Sequence, residues 1–467
     1  MGNFELGSLD MQFVAIASAN FGFDLQCETE FPHSLGLNIA DTEEALLSRI
    51  YRIPSLDGGA NIKGPPFTFW DGQMTEKFLS ARERSYEWQA KVITEPKDVQ
   101  ALYTNASDHA KASAANTGWL LSQIMGQGAG LINGQRWINL RKELDPHFSH
   151  KVSLNMVGNL NEHARVYVRD MGQYSLSDRL EKNGSERFVV NAAQALTRYP
   201  YYEIANMFYS NLNKQEIDRL WDLGQLFTKA FASVIDGGIN RSSLTKWFNT
   251  DAWKMTKTYI DQWGEFNASA VKRRVEAGIN DQVVSLFAAA EAGKVDREEV
   301  LQTLAESLFA NLDVTTHVMT SCVILLADNT AVTEDLRREF SQHANDIDTY
   351  LGKKDTLLHY CLLESLRLQP VLSYSFPEKP PREKILGGYR IPKDLRYNFQ
   401  AFGYGPRKCL GNNISDKMVH ALVYQLFTQY DLVVRPNMKK ENDYYFKTDK
   451  ANWLGLFDVE LEMKTRV

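Results

Sequence analysis

The chain is short of cysteine, of long apolar runs, of clustered positive charge and of phosphate-binding glycine loops, and each shortage removes a class of protein. Among 467 residues there are four cysteines, Cys27, Cys322, Cys361 and Cys409, and none belongs to a CxxC pair. That spacing argues against a disulfide framework or a structural zinc site and fits a reducing compartment. No window supplies the roughly eighteen consecutive apolar residues of a spanning helix. Residues 11–23 come nearest, but Gln12, Ser18 and Asn20 interrupt them and no basic segment precedes them. The chain as written therefore reads as soluble. With 52 Lys+Arg against 58 Asp+Glu the net charge is −6, without a long basic block. Affinity for phosphate backbones comes from clustered Lys and Arg, so no nucleic-acid partner is expected.

What the chain does have is apolar material. A 44% hydrophobic content over this length buries a large core and excludes a disordered tail. Residues 1–65, rich in breakers such as Gly58, Gly59 and Gly64, read as an irregular arm, and 66–467 read as a single domain. Apolar residues recur at three- and four-residue steps over 75–91, 116–125, 134–141, 154–171, 215–234, 250–275 and 281–292, which predicts helices. Strand patterns are few and short: 92–94, 188–190, 388–391, 431–435 and 454–463. No glycine-rich phosphate loop follows any of them. The expected class is mainly α with a small β region.

One helix stands apart. Asp296 and Glu299 have the spacing of a capping box, and the helical pattern that they open runs to about Asp328 without Gly or Pro. Roughly thirty residues at ~1.5 Å each make a rod of about 45 Å, apolar on most sides, which has to cross the middle of a large fold. Asp313, Thr315, Thr316 and His317 lie near its centre, and polar groups there need a reason.

The most informative stretch is Phe402-Gly403-Tyr404-Gly405-Pro406-Arg407-Lys408-Cys409-Leu410-Gly411. Two glycines and a proline force a tight loop that ends at one cysteine before a helical pattern. Free amides and the helix dipole there are expected to lower the Cys409 pKa and suit it to ligate a metal. A lone cysteine in a glycine-rich turn would more often be a buried structural residue. The complete string is far more specific. Phe402, Gly403, Gly405, Arg407, Cys409 and Gly411 resemble the haem-binding loop of the cytochrome P450 family at all six positions.

Three further motifs resemble that family in the same order along the chain. Glu364 and Arg367 match its Glu-x-x-Arg pair, a structural element whose charges share one helix face. Trp137 and Arg141 match the Trp-x-x-x-Arg that binds haem propionates. Ala310 to Thr316 resemble the oxygen-binding helix, with Asn311 in place of glycine and Val314 where the alcohol is expected. Thr315 with Asp313 is the first candidate proton relay and Thr316 the second, and a local helix bulge would accommodate either. Residues 371–376 resemble a pocket-lining strand, which makes Leu372 and Tyr374 substrate-contact candidates.

The resemblance implies the P450 fold, with heme b (iron protoporphyrin IX) held by a Cys409 thiolate and its propionates met by Trp137, Arg141 and Arg407. It implies monooxygenation of a small apolar substrate by O2, with electrons from an NADPH-cytochrome reductase received beside Arg141, Lys142, Arg407, Lys408 and Lys417. The helical string 308–316 resembles filamentous-fungal members that act in secondary-metabolite biosynthesis. Such members are usually associated with the endoplasmic-reticulum membrane. Two departures accompany these matches. Only 45 residues separate Glu364 from Cys409, so the family's third arginine is missing unless Arg396 replaces it, and its first hairpin strand is absent at Lys91-Val92. Both look like excised blocks. The alternative reading is accordingly a truncated member that binds haem or a small ligand without turnover. His147 and His150 share a helix face without an evident third ligand, and His109 and His359 have no evident partner.

Overall fold

A computed structural model describes residues 110–111, 117–176, 180–182, 185–369, 371, 378–379, 384–386, 389–391, 407–435 and 459–466. The arm, Phe402 and the glycines before Arg407, Leu372, Tyr374, Arg396, His109 and the Lys91-Val92 junction lie outside them. The element order is β1 (Ala110–Lys111), α1 (Trp119–Ile124), α2 (Gly134–Leu144), α3 (His150–Arg169), β2 (Leu180–Lys182), β3 (Ser185–Asn191), α4 (Ala192–Leu196) and α5 (Arg198–Phe208). It continues with α6 (Lys214–Ile235), α7 (Leu244–Trp247), α8 (Asp251–Glu276), α9 (Gln282–Glu291), α10 (Arg297–Ala310), a π turn (Asn311–Thr315) and α11 (Thr316–Asp328). Then follow α12 (Thr330–Gln342), α13 (Ile347–Gly352), α14 (Leu357–Leu368), β4 (Glu378–Lys379), β5 (Lys384–Leu386), β6 (Tyr389–Ile391), α15 (Asn412–Gln429), β7 (Tyr430–Val434) and β8 (Glu460–Thr465).

The mainly helical expectation holds, and side-chain caps explain several helix starts. Thr250 and Asp281 accept the amides of Trp253 and Val284 and open α8 and α9, one residue after the starts predicted from periodicity. Asp296 and Glu299 form the reciprocal capping box of α10. The rod from Arg297 to Asp328 is long and apolar enough to cross a membrane, but 78% of its most apolar window is buried inside the fold. Elsewhere the prediction starts too late or too early: α3 begins at His150 rather than 154, because Ser149 caps it, and α1 begins at Trp119 rather than 116.

The rod is the axis of the core. Phe309 stacks on Phe227 of α6 at 4.4 Å between ring centres and meets Tyr259 and Trp263 of α8 edge-on at 5.8 and 5.5 Å. On the far side, α3 buries Ser153, Val157, Leu160, Ala164 and Val168, a stripe of three- and four-residue steps, where α15 packs against it. The β component is an antiparallel sheet in the order β2-β3-β8-β7, with Phe188 opposite Met463 and Met463 opposite Leu432. All three are buried. Two smaller pairs, β1-β4 and β5-β6, complete the described strands, and β1 delivers Lys111 to the site described next.

Candidate active site

The rod and the start of α15 wall a cavity of about 260 Å³. Cys409 lies on one wall, two residues before the Gly411 N-cap of α15. On the rod, Thr303, Glu306, Ala310, Asn311, Val314 and Thr315 face the same space, a stripe that persists through the π turn. Trp137, Arg141 and Arg407 complete one end of it.

Cys409 is open to this cavity rather than packed by neighbours. The expected lowering of its pKa does not occur in the bare chain. Desolvation by the surrounding protein pushes the thiol up, and it outweighs the Gly411 amide and the nearby Arg141 and Lys408, while Glu306 adds to the rise. The helix terminus is a smaller effect than burial here. Gly411 has an ordinary backbone (φ −77°), and a Cβ there would stand 4.0 Å from the Cys409 sulfur, so the residue leaves room beside the sulfur without a conformational need for glycine.

Trp137 is half-buried and carries two cations, with the Arg407 and Arg141 guanidiniums 4.8 and 5.2 Å from its ring centre. Arg141 also pairs with Asp145. Arg407 donates to Asn133 Oδ1 at 2.7 Å and to the Ile132 carbonyl. Asn133, which sequence reading did not single out, also accepts the Lys111 amide at 2.7 Å and returns a bond to the Lys111 carbonyl at 3.0 Å. It thereby ties three remote parts of the chain to one corner of the cavity. A sulfur on one wall, with two guanidiniums and an indole at one end, is a donor set that fits a flat iron macrocycle bearing carboxylates.

The two threonines separate cleanly. Thr315 faces the cavity and donates to Asn311 Oδ1 at 2.6 Å. Thr316 is fully buried, donates to the Asn311 carbonyl at 2.9 Å and accepts from Thr197 at 3.2 Å. The widened π turn is the anticipated bulge, and the amide of Asn311 bridges Thr315 to the Ser307 carbonyl across it. Asp313 is not among the cavity-lining residues. Desolvation alone raises its pKa to about 6. His317 is buried and also lies off the lining.

The Asp313 shift has a testable sign. A carboxyl whose folded pKa exceeds its unfolded value is favoured in the folded state only while protonated. Stability is therefore lost as pH rises from about 4 to about 6 and stays lower above that. The shift corresponds to roughly 3 kcal/mol at ~1.36 kcal/mol per unit. Asp313→Asn removes the penalty, so unfolding midpoints of wild type and variant should diverge in the variant's favour between pH 4 and pH 7. Parallel curves would show that the carboxyl is solvated.

Three further expectations meet corrections or limits. Glu364 and Arg367 pair through two bonds of 2.7 Å, but their side chains are 54% and 67% exposed, so the pair holds itself more than it holds the core. Lys417 does not belong to a surface patch. Its side chain is fully buried and bonded to Asp416 at 3.0 Å, because its position on α15 turns into the core. His359 does have a partner: its Nδ1 lies 3.3 Å from His420 Nε2, 61 residues away, and His420 Nδ1 meets the Leu351 carbonyl at 2.9 Å. A carbonyl only accepts, so His420 carries its proton on Nδ1 and receives one from His359. Burial lowers the His420 pKa to about 4, which keeps this pair neutral.

Comparisons with known proteins agree with the fold. The family model described as Cytochrome P450 matches residues 82–397, which is most of the chain but stops short of the cysteine loop. The chain is 43% identical to cytochrome P450 monooxygenase hasH of Aspergillus fumigatus over 90% of this chain and 88% of that protein. It is 39% identical to cytochrome P450 monooxygenase sirC of Leptosphaeria maculans, with 93% of each covered. Among solved structures, CalO2 superposes with a TM-score of 0.61 at 14% identity, covering 84% of this chain and 98% of that one. A zebrafish cytochrome P450 superposes at 0.58 and 14%, covering 80% and 93%. The chain belongs to the cytochrome P450 family and is a monooxygenase, an oxidoreductase whose cofactor is haem with a cysteine ligand. Monooxygenases of this family draw electrons from a reductase and use O2.

The two alignments differ in how many of their positions fall opposite gaps in this chain. The alignment with the A. fumigatus protein spans 484 positions, whereas 90% of 467 residues is about 420, so about sixty positions of it fall opposite gaps in this chain. Against the L. maculans protein the alignment spans 448 positions over 93% of the chain, about 434 residues, and the corresponding figure is only about fourteen.

Proposed function

We propose that the chain is a tailoring monooxygenase of fungal secondary metabolism that oxidises a small, mainly apolar molecule, with Cys409 as the thiolate that would hold the haem and an NADPH-dependent cytochrome reductase as electron donor. One observation carries the site assignment: Cys409 and Thr315 open onto one cavity whose remaining walls are largely apolar, including Phe148, Ile204, Val318 and Leu362. The relatives hasH and sirC are fungal monooxygenases, which supports the metabolic setting. Trp137, Arg141 and Arg407 would hold the haem propionates, and Gly411 leaves space beside the sulfur. When bound, the group supplies O2 activation, with the thiolate pushing electron density toward O–O cleavage.

The chain's own part is to exclude water and to deliver protons. Thr315 holds a hydroxyl at the cavity surface, oriented by Asn311, in the role that the family pattern gives to an alcohol at position 314. Asp313, two residues before Thr315 and behind the cavity lining, is a proton store whose raised pKa keeps a protonated fraction near neutrality. Thr316 spends its hydroxyl on the helix carbonyl.

The test is spectral and kinetic. Purified protein, reduced under carbon monoxide, should give the thiolate-type Soret band. Thr315→Ala should keep that band while product formed per NADPH oxidised falls, roughly tenfold or more, as expected for a lost proton donor. If Thr316→Ala alone uncouples, the relay belongs to Thr316. If wild type takes up no haem, the reading fails.

A further inference from the structure

Within the mainly apolar cavity the rod presents one carboxylate that the reaction does not use. Glu306 lies one turn before Ala310 on the cavity-facing stripe. Its neighbours explain part of its position. Three side chains on one face of α10 accept backbone amides of the loop that adjoins the cavity: Gln302 from Gln127 at 2.7 Å, Thr303 from Ala129 at 3.0 Å, and Glu306 Oε2 from Gly130 at 3.0 Å. The first two do this without charge. Anchoring the loop therefore gives no reason for an ionisable group at the third place, where a neutral acceptor would serve.

The second oxygen is the informative one. Glu306 Oε1 receives no hydrogen bond from any described residue, although a carboxylate offers about four acceptor sites. Room for it comes from Gly128 and Gly130. A Cβ on Gly130 would stand 2.1 Å from Oε1, and one on Gly128 2.6 Å from Oε2. Burial pushes the Glu306 pKa up, and the Gly130 amide, Arg407 and Lys111 only partly oppose the rise; both cations line the same cavity, so a ligand bringing a further positive charge would be repelled by them. A neutral donor would not.

We infer that Glu306 Oε1 is a specificity-determining acceptor for the substrate, selecting neutral, mainly apolar molecules that carry an N–H or O–H donor over analogues in which that hydrogen is replaced. The inference rests on the monooxygenase reading above and refines its substrate class. A buried acceptor left unpaired is costly, so a site of this kind rejects the analogue lacking the donor more strongly than it ranks apolar shape.

The test uses haem-loaded protein titrated with two matched pairs, indole against 1-methylindole and 2-naphthol against 2-methoxynaphthalene, read by displacement of the Soret band. In at least one pair the donor-bearing member should bind wild type about tenfold more tightly or better. The pair that shows the preference identifies the donor as N–H or O–H. Glu306→Leu should bring that ratio to about one without weakening the methylated member. Gly130→Ala should do the same, because its new methyl displaces the carboxylate while leaving the charge in the protein. A wild-type ratio near one in both pairs, or a ratio that survives in both variants, overturns the inference. The carbonyl spectrum of each preparation separates the two readings: a thiolate band without discrimination sinks only the role of Glu306, whereas no haem uptake by wild type sinks the enzyme as well.

Discussion

Cys409→Ser should lose the thiolate-type carbonyl spectrum and with it all turnover above background. A serine hydroxyl does not ionise near neutrality, so the replacement can offer iron only a neutral oxygen, and the electronic push that favours O–O cleavage disappears. No other described cysteine can substitute. Cys322 is buried on α11 with its thiol raised to about 12, and Cys361 on α14 is raised to about 11, in each case chiefly by desolvation. Neither lines the cavity. A variant that keeps the band would place the ligand at another residue and would undo the site assignment from Trp137 to Gly411.

The largest effect on stability should come from Arg274. Its side chain is fully buried on α8, where Nε binds Asp281 Oδ2 at 2.8 Å and Nη1 binds Glu216 Oε1 at 3.0 Å. Its remaining donors reach the Ser210 and Ala270 carbonyls at 2.9 and 3.1 Å. Asp281 is the N-cap of α9 and Glu216 belongs to the capping box of α6, so one guanidinium ties three helices together. Arg274→Met leaves two carboxylates with little access to water and without their shared partner, and breaking such a pair costs roughly 3–5 kcal/mol. Arg273→Met is the control: its side chain is 36% exposed and it pairs with Glu216 nearer the surface, so the loss should stay below about 1 kcal/mol. Denaturant unfolding of both variants checks this. Equal midpoints would show that the buried network contributes no more than a surface pair.

Legibility of the fold followed local chemistry. Helix starts were readable to within one residue where periodicity meets a capping side chain, as at Thr250, Asp281 and Asp296, but not at Ser149, whose cap opens α3 four residues before the periodic pattern begins. The bulge near Asn311 was readable as a departure from a known pattern, an amide standing where a glycine usually permits the distortion. Glu306 was missed, although an acid seven residues before Asp313 inside the same long helix is a signal of the same kind. Asn133 and the His359–His420 pair could not have been found this way. Their partners are 274 and 61 residues distant, and nothing local to either residue marks the contact.

The sequence by itself determined the family and the long polar-centred rod, and it singled out Cys409 as the candidate iron ligand, because each is written in short-range spacing. Only the tertiary structure decided which groups meet. It turned Thr315 into the cavity and left Asp313 and Thr316 off it, and it buried Lys417. It also let desolvation overrule the helix terminus at Cys409. The physical reason is common to all of these: exposure and electrostatic environment are set by surfaces contributed from distant segments, and neither periodicity nor motif spacing encodes which segments those will be.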